Sequence, residues 1–192
     1  YGCGMKSCIN ELGSITKFRY AFDLSDYAIE QNRKNYPNTE YKVSDAHCLD
    51  YPDNFFDVVF GSSILHHLSL DKAIPELNRV IKPGGHLLFL EPLGHNYFIN
   101  KFRNKTPELR TDDEHPLLLS DLRSINQSFE IDKTKFYCLF PLVVNTLFKQ
   151  KKVNLLYKTA IRLDEIVFKI LPFLRKYSWI VVLIGKKKSL IP

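Results

Sequence analysis

The sequence lacks the features of several protein classes. Its four cysteines show neither paired CxxC spacing nor the density of a disulfide scaffold, which favours a reducing, cytoplasmic compartment. The longest apolar runs, 136–144 and 179–185, fall well short of the roughly 20 residues of a membrane-spanning helix. The chain starts without Met and without a charged or apolar leader, so a secretory peptide is not expected. With 192 residues, 45% of them hydrophobic, one globular domain is expected over 1–192.

A metal site is also not expected. The six histidines show no ligand spacing, and the adjacent His66 and His67 should point in different directions on a helix or a strand. The sequence therefore predicts no metal.

Positive charge is concentrated near the C-terminus. From Leu142 onward there are eleven Lys or Arg and two acidic residues, against sixteen basic and nineteen acidic residues before it. A basic amphipathic helix is predicted over 155–171. Both packing in the core and peripheral contact with an anionic membrane remain open for it. Nucleic acid is not an expected partner, because no aromatic-basic RNA motif accompanies the charge.

Apolar strands and amphipathic helices alternate through the first ninety residues. Strands are predicted at 17–22, 39–43, 56–60 and 86–90, with helices at 25–35, 64–68 and 70–80. This order predicts an α/β fold with three layers and a doubly wound, mostly parallel sheet. Helices at 119–125 and 155–171 and strands at 136–144 and 179–185 follow, the final strand antiparallel. The segments are thus a core (1–92), a polar excursion (93–135) and a closing part (136–192).

The most informative motif is Gly2-Cys3-Gly4. Nineteen residues after Gly4, Asp23 ends the apolar stretch 18–22. This is the spacing of a nucleotide-binding βαβ unit, in which glycines allow close backbone approach and an acid receives the ribose hydroxyls. For Asp23, a cap beside Ser25 is the structural alternative. The strand that should precede the glycines is absent, so the first strand of the sheet is expected to be missing, by truncation or by loss.

Six short segments occur in an order that resembles a known family. They are Gly2-Cys3-Gly4, 22–25, 44–46, 55–59, 64–68 and 79–85. Together they make residues 2–92 similar to the class I S-adenosylmethionine-dependent methyltransferases of the type 11 group. The resemblance implies a seven-stranded sheet and S-adenosylmethionine as the cofactor, lying over the carboxyl ends of the first strands. Two departures are Lys6, in the place of a third glycine, and the missing first strand.

The resemblance implies a donor site at particular positions. Gly2, Cys3 and Gly4 would face the methionine part, and Asp23, followed by Leu24, would accept the ribose hydroxyls. Asp45 and Ala46 would lie at the adenine edge, and Gly61 and Ser62 near the amino group and sulfonium. An ordinary turn role is the alternative for Asp45.

Catalytic residues are expected after the strand at 56–60, which corresponds to the fourth strand of the family. His66 and His67 are the candidate catalytic residues, because an imidazole can act as a base near neutrality. Their alternative role is to cap or pack a helix start. The candidate substrate-binding residues are Glu91, His95, Asn96, Arg110 and His115, for which a turn or a solvated loop is the alternative.

The resemblance implies transfer of a methyl group to a small or lipid-linked acceptor, with the methylated atom left open. A degenerate, non-catalytic methyltransferase-like binding module is the alternative, motivated by Lys6 and the missing strand. A nicotinamide-dependent dehydrogenase shares the βαβ logic, but the turn at 82–85 and the histidine pair argue against it.

Overall fold

The computed structural model describes residues 1–5, 15–109, 114–148 and 154–188. Strands and helices alternate through the first half, as predicted. The elements are β1 (Tyr20–Asp23), α1 (Asp26–Asn35), β2 (Glu40–Val43), β3 (Phe56–Ser62), α2 (Leu70–Val80), β4 (Ile81–Pro92), α3 (Tyr97–Lys105), α4 (Leu119–Ser128), β5 (Phe129–Tyr137), α5 (Phe140–Phe148), α6 (Asn154–Ile170) and β6 (Ile180–Lys187). Short 3-10 helices occur at Leu65–His67, Pro107–Leu109 and Pro172–Tyr177.

The strands form two sheets. β1 and β2 pair in parallel, and the second sheet has the order β3-β4-β6-β5. β3 and β4 are parallel, whereas β6 is antiparallel to both β4 and β5. The predicted α/β class, with a mostly parallel start and an antiparallel last strand, is confirmed.

A groove of about 380 Å³ lies between β1 and β3. Among the described residues, β1 pairs only with β2, and β3 pairs only with β4 at its other edge. One end of the groove is closed by residues 1–3. The amino group of Tyr1 donates to the Phe60 carbonyl at 2.8 Å, and the Cys3 N–H donates to the Phe22 carbonyl at 2.9 Å. These bonds hold the carboxyl ends of β1 and β3 beside each other.

The main hydrophobic core covers one face of the four-stranded sheet and extends to β1. α2 contributes Ala73, Leu77 and Val80, and α4 contributes Ile125. Phe22 of β1 belongs to the same cluster, and the Tyr1 ring meets it edge-on at 4.9 Å. A second, smaller cluster joins Ala21, Ile29 and Tyr41 between α1 and the two-stranded sheet. The larger core therefore supports both sheets.

The strand predicted at 136–144 is wrong. The strand is Phe129–Tyr137, where polar and apolar residues alternate, and the apolar run after it forms α5. A continuous apolar run does not by itself distinguish a strand from a packed helix. The buried carboxylate of Asp164 accepts the N–H groups of Leu139 (3.1 Å) and Phe140 (2.9 Å), which lie at the helix start. It thereby satisfies amides that have no partner within the helix.

α6 confirms the helix predicted near the C-terminus. Ala160, Asp164 and Phe168, spaced four residues apart, form its buried face, and the helix packs against α5. In the described ranges of the chain, every helix is too short or too polar to cross a bilayer.

Candidate functional site

The candidate site lies where the parallel strands end. Asp23 closes β1, Ser62 closes β3 and Pro92 closes β4. Tyr1 links two of these strands to the segment after β2. Its amino group contacts β3, its ring packs on Phe22 of β1, and its hydroxyl donates to the Ala46 carbonyl at 3.0 Å. Ligands of open α/β sheets bind at this edge.

The glycine turn and Asp23 are in direct contact. The Gly4 N–H donates to Asp23 Oδ2 at 2.7 Å, and the Ser25 N–H donates to Asp23 Oδ1 at 3.0 Å. Gly2 and Gly4 both have positive φ, 59° and 55°, which glycine adopts without strain. Asp23 is half-buried, and a carboxylate has about four acceptor positions, of which these bonds use two. Both Asp23 oxygens therefore keep capacity for further donors.

The turn also packs against the segment that follows β3. A Cβ on Gly2 would lie 2.5 Å from Cγ1 of Ile64, so only glycine fits there. Burial is the largest cause that raises the pKa of the Cys3 thiol to about 11, and the nearby Asp23 carboxylate adds to this rise. Cys3 is therefore protonated at neutral pH and serves as a small apolar contact rather than a nucleophile.

The Asp45 carboxylate organises a turn after β2. Its Oδ1 accepts the His47 N–H at 2.9 Å and lies 2.8 Å from His47 Nδ1. His47 Nε2 accepts the Ser69 N–H at 3.1 Å, so the ring proton is on Nδ1. The His47 N–H is the largest cause that lowers the Asp45 pKa, and the His47 ring adds to it. Ala46 is buried beside Tyr1, whereas Leu24 is 74% exposed.

Glu91, at the end of β4, is fully buried. Its Oε1 accepts the N–H groups of Ile64 and Leu65, each at 3.0 Å. Its Oε2 pairs with Nδ1 of His66 at 2.8 Å and accepts the His66 N–H at 3.4 Å. These bonds hold residues 64–67 as a 3-10 helix, where the sequence predicted an ordinary helix.

The histidine pair has a different geometry from the one expected. The sequence predicts that the side chains of His66 and His67 point in different directions, and this prediction is wrong. On the 3-10 helix the centroids of the two rings lie 4.2 Å apart, with an angle of 39° between the ring planes. His66 is buried and fixed by Glu91, whereas His67 is half-buried. Of the two rings, His67 is the more accessible. Across the described residues, no group of three acidic, His or Cys side chains has the arrangement of a metal site.

Packing against the neighbouring strand explains why glycine occupies position 61. A Cβ there would lie 2.3 Å from the Phe89 ring, so glycine lets β3 and β4 pack closely. Ser62, the next residue, is exposed at the edge of the site. Contacts of Gly61 and Ser62 with the methyl donor remain predictions.

The excursion after β4 folds back onto the histidine segment. The His115 N–H donates to the His66 carbonyl at 2.7 Å, and the Leu117 N–H donates to the Pro92 carbonyl at 2.9 Å. His95 Nε2 accepts the Leu119 N–H at 3.0 Å, at the start of α4. Asn96 is buried and caps α3. Substrate binding by these residues stays a prediction.

Two positions singled out in the sequence, Lys6 and Arg110, lie outside the described residues.

Comparison with known proteins identifies the first part of the chain. A family model for a methyltransferase domain matches residues 1–89. Over these residues the chain is similar to the methyltransferase family. A ubiquinone/menaquinone biosynthesis C-methyltransferase of Hydrogenovibrio crunogenus is 38% identical, over 40% of this chain and 34% of the relative. Its counterpart from Francisella tularensis subsp. tularensis is 47% identical over 28% of this chain and 22% of the relative. The chain spans about a third or less of these curated relatives.

Solved structures support the same fold over nearly the whole chain. A S-adenosylmethionine-dependent methyltransferase of Methanosarcina mazei has a TM-score of 0.66 at 19% identity, covering 98% of this chain and 90% of the other. The geranyl diphosphate C-methyltransferase of Streptomyces coelicolor has a TM-score of 0.69 at 10% identity, covering 97% and 71%. The class I methyltransferase fold predicted from the sequence is confirmed.

Sequence reasoning missed Asn32, which lies beside the glycine turn. Its side chain is fully buried, and Nδ2 lies 2.6 Å from the Gly4 carbonyl and 2.9 Å from the Ala28 carbonyl. Asn32 thus ties the glycine turn to α1. The available signal was a polar residue three positions after Ile29, on the apolar face of the helix.

Proposed function

We propose that the protein transfers a methyl group from S-adenosylmethionine to a small or lipid-linked acceptor. The observation that carries this proposal is the contact between the glycine turn and Asp23, which joins the two parts of the predicted donor site. The named relatives support the acceptor class, because one group acts in quinone biosynthesis and another protein methylates geranyl diphosphate.

The residues fit an adenosyl ligand at the carboxyl edge. Asp23 is half-exposed and keeps acceptor capacity for two ribose hydroxyls beyond its two backbone bonds. Among the described residues, a Cβ on Gly4 would meet no atom within 4 Å, which leaves room there for a ligand to approach the backbone. Asp45, Ala46 and Leu24 would line the adenine side, and Gly61 and Ser62 the sulfonium side.

The bound donor would supply an electrophilic methyl group, so the main task of the protein is alignment and exclusion of water. Glu91 positions His66 and the backbone of residues 64–66 through its buried hydrogen bonds. With Nδ1 directed at Glu91, Nε2 is the His66 nitrogen that can take a proton. The His67 ring lies beside the His66 ring, and the His115 backbone is bonded to the His66 carbonyl, so both residues would complete the acceptor side.

Calorimetric titration with S-adenosylhomocysteine tests the proposal. Asp23→Ala removes the ribose acceptor and should weaken binding at least tenfold, since two charge-assisted hydrogen bonds are lost. The matched control is Asp57→Ala. Asp57 is an equally charged residue on β3 whose side chain is 81% exposed and pairs only at the surface with Lys82. Equal affinity of Asp23→Ala and Asp57→Ala would remove the ribose assignment.

A non-catalytic binding module is the second candidate. The groove between β1 and β3 favours it, because the donor residues sit on two sheets joined at this point by residues 1–3. This candidate predicts no calorimetric response to S-adenosylhomocysteine by the wild-type protein. A methyl donor that binds and is consumed with a quinone-type or prenyl acceptor would exclude it.

A further inference from the structure

α6 presents an apolar stripe to solvent. Leu156, Leu163, Ile166 and Ile170 are 46%, 41%, 54% and 70% exposed. Their spacings of seven, three and four residues place them on one face, to one side of the buried face formed by residues 160, 164 and 168. Large apolar side chains repeated along an outward face indicate a surface that meets something other than water.

Cations lie along one side of this stripe. Lys158, Arg162 and Lys169 are exposed and follow each other at intervals of four and seven residues. Glu165 is the one exposed acid in residues 155–170, since Asp164 is directed inward at the start of α5. The exposed face therefore combines an apolar stripe with a net positive flank.

The stripe continues towards the candidate site. After α6, Phe173 is 62% exposed and Trp179 is 39% exposed. The Trp179 carbonyl accepts the Leu93 N–H at 2.8 Å, and Asn96 Nδ2 donates to the Tyr177 carbonyl at 2.7 Å. The C-terminal end of the stripe is thus bonded to the chain just beyond Glu91.

A second exposed apolar group lies on the helix that Asn96 caps. Tyr97, Phe98 and Phe102 of α3 are 68%, 78% and 63% exposed. Lys101 and Lys105 are exposed on the same helix, which has no acidic residue. Apolar and basic side chains therefore occur on both helices next to the acceptor side.

We infer that the α6 stripe, with Phe173 and Trp179, docks on an anionic lipid bilayer. The apolar residues would enter the boundary between headgroups and acyl chains, and the flanking cations would lie at the lipid phosphates. A second copy is a poorer match, because a twofold contact sets the same basic flank against itself. The inference deepens the proposed function, on which it rests only for the idea that a lipid-linked acceptor reaches the site from the bilayer.

Trp179 is the only tryptophan in the sequence and reports on this surface directly. The wild-type protein is mixed with vesicles of phosphatidylcholine alone or with added phosphatidylglycerol, and Trp179 emission and co-sedimentation are measured. Anionic vesicles should shift the emission to shorter wavelength and bind about tenfold more tightly than neutral ones, with binding weakened by salt. An unchanged emission, or equal binding to both vesicles, overturns the inference.

Two pairs of matched variants separate the contributions. Ile166→Ser/Ile170→Ser should reduce binding about tenfold, whereas Tyr27→Ser/Tyr36→Ser, at exposed positions around α1, should leave it unchanged. Arg162→Gln/Lys169→Gln should reduce binding to anionic vesicles, whereas Lys34→Gln/Lys133→Gln removes the same charge elsewhere and should have little effect. Equal losses in variants and controls contradict a local surface.

The outcomes also distinguish this inference from the proposed function. Vesicle binding is measured without donor, and S-adenosylhomocysteine binding is measured on the same preparations. Donor binding without vesicle binding overturns only the bilayer surface, and the reverse result overturns only the methyl-transfer proposal. Self-association that disappears in Ile166→Ser/Ile170→Ser, together with no vesicle binding, would assign the stripe to contact between copies.

Discussion

Two carboxylates of the candidate site, Asp23 and Glu91, lie at the ends of strands that belong to different sheets. Both accept backbone N–H groups, but Asp23 is half-exposed and bonded to two of them, whereas Glu91 is fully buried and holds three together with His66. A buried carboxylate with its oxygens occupied serves to position its neighbours. A half-exposed carboxylate with free acceptor capacity can also bind a ligand.

Because of this difference, we expect Glu91 to contribute mainly to the stability of the fold and Asp23 mainly to ligand binding. Glu91 connects β4 to residues 64–66, so its loss should disturb folding more than donor affinity. Asp23 connects the glycine turn to β1 from a partly solvated position, so its loss should disturb affinity more than folding.

Glu91→Ala should lower the free energy of unfolding by about 3 kcal/mol, because it leaves several buried donors without an acceptor. Urea unfolding measures the change. Glu130→Ala is the control, since that side chain is 59% exposed and pairs at the surface with Lys186. A Glu91→Ala protein as stable as the Glu130→Ala protein would contradict the positioning role.

Asn32→Ala should lower the free energy of unfolding by about 1–2 kcal/mol, since the half-buried Gly4 carbonyl loses its amide donor. Because the same bond holds the glycine turn, S-adenosylhomocysteine affinity should fall as well. Asn35→Ala changes an exposed residue of the same helix and should alter neither quantity. Normal donor affinity in a destabilised Asn32→Ala protein would limit Asn32 to packing.

Asp23→Ala should lower stability by only about 1 kcal/mol, because its two backbone bonds are at a partly solvated position. Chemical denaturation gives this value, to be set beside the donor titration described above. If Asp23→Ala proved as destabilising as Glu91→Ala, the contrast between the two carboxylates would fail.

Asp45→Asn should lower stability at neutral pH slightly and flatten the acid side of the stability profile. The pKa of Asp45 is lower in the folded protein than in the unfolded chain, so its charged form stabilises the fold above its ordinary pKa of about 4. This contribution is lost as the pH falls through the lower, folded pKa. Melting temperatures between about pH 2 and pH 6 should therefore fall less steeply on acidification in Asp45→Asn than in wild type.

Asp50→Asn controls for removal of a carboxylate at an exposed position, since its side chain is 90% exposed and pairs with Lys42 at the surface. Its profile should follow that of the wild type. Identical acid profiles for Asp45→Asn and Asp50→Asn would show that the His47 contacts have no energetic effect.

The sequence predicted most of the fold because local patterns decide it. Apolar strands bounded by turn residues mark β1 to β4, and a 3.6-residue period marks α6. The failure at 136–144 has a tertiary cause, because the carboxylate of Asp164, from a later helix, supports the start of α5. The apolar run itself gives no indication that Asp164 will be its partner in the fold.

The site was predicted in outline for a similar reason. The spacing between Gly4 and Asp23 follows from a local βαβ unit, and the two residues are in contact. The burial of Glu91 and the bond from Asn32 to Gly4 depend on how separate elements pack. Burial of Glu91 therefore could not be read from its place beside Pro92.

The groove between the sheets separates two parts of the predicted donor site. In the part of the chain that the structure describes, β1, which ends at Asp23, and β3, which contains Gly61, belong to different sheets. Residues 1–3 bond to both strands near their carboxyl ends, so this short segment links the two halves of the site.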